Sequence, residues 1–119
     1  MNEDLERFCA RAHREFDKFN ADWPSVNASL DECRATLARL RGELSNKSKP
    51  TRILAVEMTA AFRRSRPASK RIDFWAARLK QIRDSIEEWQ RKISDADDRE
   101  RLDKLVAVLD GIHLSEGKL

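Results

Sequence analysis

Cys9 and His13 stand four residues apart, which on a helix would put a thiol and an imidazole on one face where both could ligate zinc. A closed structural site takes about four ligands, and the remaining cysteine and histidine, Cys33 and His113, follow no recognised zinc spacing. Asp110 and His113 form a single Asp-x-x-His, whereas a di-iron site in a helical bundle uses paired Glu-x-x-His motifs and further carboxylates. The run Asp95, Asp97, Asp98 and Glu100 lacks the central glycine and terminal glutamate of a calcium loop. At the start of a helix these carboxylates would simply complement the helix dipole. Three glycines leave no phosphate-cradling loop, and neither a nucleophile elbow nor a dinucleotide fingerprint occurs. The expectation is a non-enzymatic protein without metal or cofactor.

Charge is the feature that could carry a function. The net charge of +3 hides a strong asymmetry: residues 47–71 hold eight cations, Lys47, Lys49, Arg52, Arg63, Arg64, Arg66, Lys70 and Arg71, against Glu57 alone. The segments on either side are each slightly acidic. Such a cluster could neutralise phosphates, which would make binding salt-sensitive through counterion release, or meet an acidic protein. It could also do no more than keep a loop around Pro67 soluble. A helix-turn-helix over residues 51–64 and 68–93 fits poorly, because the second helix would be long and apolar for a major-groove reader.

The elements that must position these residues are helices. Ile72, Trp75, Leu79, Ile82, Ile86, Trp89 and Ile93 alternate spacings of three and four, as do Val26, Leu30, Cys33, Leu37, Leu40 and Leu44. The first helix is expected to start at an Asn2 cap and to bury Leu5, Phe8, Ala12, Phe16 and Phe19. Pro24 and Pro67 are expected to separate helices, as is the segment Ser45–Pro50. A third helix would then run from about Thr51 to Arg64, burying Ile53, Leu54, Met58, Ala61 and Phe62 and with cations at both ends, and a fourth from about Ala68 to Ile93. Ser94 and Asp97 have the form of a capping box for a fifth, ending near Gly111.

The sequence thus predicts an all-α fold, a four- or five-helix bundle with two long heptad-patterned helices, forming one domain over residues 1–113 with a frayed tail at 114–119. Two heptad stripes beside three further apolar faces predict a homodimer. Trp75 and Trp89 at d positions favour a broad core over a narrow two-stranded seam. Cys9 and Cys33 read as reduced core thiols. No apolar run approaches the roughly 18 residues that span a bilayer, and the acidic start Met1-Asn2-Glu3-Asp4 is unlike a secretory signal, so the expected location is cytoplasmic. The favoured function is a protein-interaction module, an adaptor, inhibitor or assembly subunit, that offers the basic segment to an acidic protein partner. The competing reading is a nucleic-acid-binding accessory protein that uses the same cations on phosphates.

Overall fold

A computed structural model describes residues 2–114. Among them are three helices, α1 (Glu3–Ser45), α2 (Thr51–Lys92) and α3 (Ala96–Asp110), and no strand. The all-α class holds, but the expected four or five helices are three, because neither Pro24 nor Pro67 ends a helix. Each proline removes one backbone N–H and costs a helix interior about 3 kcal/mol. Both sit at exposed positions, as do Asn20 and Arg63, whose carbonyls lose the donor that a non-proline residue four positions on would supply. The buried stripe keeps its phase across each proline, through Phe19 and Val26 on α1 and through Ser65 and Ala68 on α2. Breaking either helix would unpack the residues beyond it, so burial outweighs the local cost.

Start and stop signals follow from side chains. Asn2 Oδ1 accepts from the backbone N–H groups of Asp4 and Leu5, at 3.1 and 3.2 Å. α1 ends in a Schellman motif: the N–H of Ser48 donates to the Glu43 carbonyl at 3.1 Å, and that of Lys47 to Leu44 at 3.2 Å. The turn requires a left-handed residue, and Lys47 takes that role with φ 52°. The cap of α3 is Asp95, one residue after the expected Ser94, and its carboxylate accepts from the N–H of Asp98. Gly111 closes α3 as expected. Of the tail expected at 114–119, residues 115–119 lie outside the described residues.

The chain divides into two compact units, residues 2–22 with 74–114, and residues 23–73. In both, α1 and α2 pair antiparallel: Phe8 lies against Trp89, and Phe19 against Trp75, in the first unit; Cys33 lies against Ala61 in the second. The first unit is a three-helix arrangement with an aromatic core. Trp75 is 2 % exposed, stacks edge-on against Phe19, and donates its indole N–H to Asp22 Oδ2 at 2.8 Å. α3 adds Leu102, Leu105 and Leu109 to this core. The second unit is a two-helix hairpin. Its α1 face supplies Val26, Leu30, Cys33, Leu37 and Leu40, and its α2 face Leu54, Ala61, Ser65, Ala68 and Ile72, with Cys33 and Leu37 clustered on Ala61. Ser65 is buried and donates its hydroxyl to the Phe62 carbonyl at 2.9 Å. The two heptad stripes do not meet each other: Val26 to Leu40 is covered by the start of α2 within the second unit, and Trp75 to Ile93 by α1 and α3 within the first, so the stripes by themselves give no reason for a homodimer.

Candidate functional site

Because α2 runs unbroken through Pro67, the residues of 51–71 take fixed positions on one helical surface. Leu54, Ala61, Ser65, Ala68 and Ile72 face the core, with Met58 packed beside them. The positions half a turn away, Arg52, Val56, Thr59, Arg63, Arg66 and Lys70, recur at alternating spacings of four and three and are all exposed. They form a straight outer stripe about 27 Å long at 1.5 Å per residue. The sequence-based placement of the cations at two ends of a short helix, flanking a soluble loop, is corrected: Arg63, Arg64, Arg66, Lys70 and Arg71 occupy the middle of α2.

The cations differ in what they already bind. Lys49 is held by Glu57 at 3.3 Å and Glu43 at 3.6 Å, and Arg39 reaches both carboxylates from α1, so this cluster ties α1 to the start of α2. Arg71 has interactions of its own within the fold. Lys47 sits in the turn. Arg52, Arg63, Arg64, Arg66 and Lys70 have no carboxylate partner among the described residues. Elsewhere on the chain ion pairing is common, as with Lys80–Asp84, Arg83–Asp110 and Lys92–Glu88. The only acidic residue of the segment, Glu57, is thus engaged by Arg39 and Lys49, and the outer stripe keeps its full positive charge.

Apolar surface lies between these cations. Val56, in the stripe itself, is 67 % exposed; Phe62, 47 % exposed, and Ile53, also exposed, are nine residues apart and so flank the stripe on opposite sides. Ala55, Val56, Thr59 and Ala60 line a shallow depression bordered by Arg63 and Arg64. The Thr59 hydroxyl donates to the Ala55 carbonyl at 2.9 Å, so it offers a partner little hydrogen-bonding capacity. The arrangement can hold an apolar side chain between cations that attract carboxylates. Sequence reasoning named the cations but missed Ile53, Val56 and Phe62 as a surface, having assigned Ile53 and Phe62 to the buried side of a short helix. The unbroken heptad phase from Leu54 to Ile93 was the signal that would have placed them outside.

The other residues considered for chemistry do not converge. Among the described residues no three His, Cys, Asp or Glu side chains are placed to hold a metal ion. Cys33 is buried, and its thiol points to the Ala61 carbonyl at 3.7 Å. Cys9 is half-buried, and burial pushes its thiol above the ordinary range; Arg101 opposes this, while Asp98 and Glu6 reinforce it. Asp110 is engaged by Arg83 at 2.9 Å. Asp95 and Asp98 serve the start of α3, as their helix-terminal position implied. No described helix is long and apolar enough to cross a membrane. The chain matches no protein-family model, no curated protein and no solved structure.

Proposed function

We propose that the protein is a non-catalytic interaction module, an adaptor, inhibitor or assembly subunit, whose outer α2 face binds an acidic protein. The observation that carries this reading is the set of cations Arg52, Arg63, Arg64, Arg66 and Lys70, without a carboxylate partner among the described residues, around exposed Val56. A desolvated apolar centre within a charged rim is the anatomy of a protein–protein interface, where the charges chiefly raise the association rate. A phosphate backbone would use the cations but leave Val56 with nothing to cover it.

Titration of the full chain with mixed-sequence duplex DNA, over a range of salt, separates the two classes. The proposal expects little duplex binding at physiological salt. Salt-sensitive duplex binding that is lost in Arg63→Gln/Arg66→Gln/Lys70→Gln, with helicity unchanged and a log-affinity against log-salt slope flattened by nearly one unit per contact, would replace it with the nucleic-acid reading.

A further inference from the structure

The first unit carries a second open surface whose residues the outer α2 face does not share. There α3 covers one flank of the α1–α2 pair, with Arg101 on Glu6 and Arg83 on Asp110. Five residues further along α1 and five back along α2, about 140° around each helix, Arg11 and Arg78 line a groove over Phe8 and Ile82. The adjoining depression reaches half-buried Trp89, and Arg11 and Arg14 border both. Along this edge of α1 stand Arg7, Arg11, Arg14 and Lys18, spaced as one stripe about 16 Å long. Arg7 is paired with Asp4 at 3.7 Å, Lys18 with Glu15 at 3.4 Å, and Arg78 with Glu15 at 3.1 Å. Arg11 and Arg14 have no carboxylate among the described residues.

We propose that this groove is the docking site for an acidic amphipathic helix of a partner protein, seated as a fourth helix against α1 and α2. Charge complementarity selects the occupant: carboxylates three or four residues apart on the incoming helix match Arg11 and Arg14, and an apolar residue beside them covers Trp89. Asp4 and Glu15, which belong to the same lining, offset the charge of Arg7, Lys18 and Arg78, so the groove presents two free cations and not the continuous basic track that a phosphate backbone would follow. The proposal stands apart from the outer α2 face, because every residue it uses lies in the other compact unit.

The test uses the full-length isotope-labelled chain and two synthetic 18-residue acetylated peptides, read by calorimetry and by the Trp89 indole resonance. One carries leucines on one face and glutamates beside them at i, i+4, i+7 and i+11; the other has the same composition scrambled. The expected result is saturable one-to-one binding of the patterned peptide that shifts Trp89. In Arg11→Gln/Arg14→Gln it should weaken at least tenfold with the thermal midpoint unchanged, and in Arg63→Gln/Arg66→Gln it should persist. No binding, equal binding of the scrambled peptide, or indifference to the Arg11/Arg14 change overturns the proposal. So does salt-sensitive self-association abolished by that change, which assigns the groove to a second copy, or a Trp89 shift produced instead by duplex DNA.

Discussion

Lys47 carries a cost that its neighbours make unavoidable. The Schellman turn at the end of α1 needs a left-handed residue, and a lysine Cβ in that conformation is unfavourable by about 1 kcal/mol relative to glycine. Lys47→Gly should therefore raise stability by about 1 kcal/mol, visible as a thermal midpoint higher by several degrees; a lower midpoint would mean that the lysine side chain itself stabilises the turn. Cys9 gives a second test at this scale. Burial holds its thiol protonated in the fold, so a folded value above the unfolded one contributes stability that is complete at neutral pH and lost as the pH climbs through the thiol range. Alkylation of Cys9 by iodoacetamide should be slow at pH 8 and accelerate only in more alkaline solution, whereas an unfolded control reacts readily. Fast, native-state modification at pH 8 would contradict the burial. Cys9 and His13 were identifiable from sequence as a possible ligand pair, and the lack of further ligands at a recognised spacing already spoke against zinc there; the burial of Cys9 was not legible, because it depends on how α1 and α3 pack.

At the scale of elements the two prolines are the informative residues. Pro67 lies on the solvent side of α2 in the turn that also holds buried Ser65, whose hydroxyl bonds back to its own helix. Pro67→Ala restores a donor for the Arg63 carbonyl, so it should stabilise the chain by about 1–3 kcal/mol in denaturant titration. A neutral or destabilising result would show that the proline is fitted to its site. Ile86→Asp places a carboxylate at a position 1 % exposed in the stripe of the first unit and should cost more than about 4 kcal/mol, enough to abolish the cooperative transition. The heptad stripes, the interruption at Ser45–Pro50 and the caps at Asn2 and Gly111 were legible in the sequence because each depends on residues within one or two turns. The continuity of α1 and α2 was not, because a local rule about proline competed with burial spread over forty residues. The phase preserved between Ser65 and Ala68 held the answer.

For the whole molecule, the consequence of continuity is that dispersed cations become one surface. Arg52, Arg63, Arg66 and Lys70 are scattered in the sequence, and the expected break at Pro67 split them between two elements; a single α2 aligns them with Val56 on its outer side. The basic character of 47–71 was legible from charge alone. Which charges are already neutralised was not, since Arg39 meets Glu57 only when α1 and α2 pack. The central claim, that this face binds an acidic protein, is tested most directly by site-specific photo-cross-linking in cells of the native source, with a benzophenone amino acid at Val56. The account predicts that Val56 cross-links one acidic protein and that Arg63→Gln/Arg66→Gln/Lys70→Gln removes the adduct without loss of helicity. A nuclease-sensitive adduct, or a protein adduct indifferent to those substitutions, would contradict it.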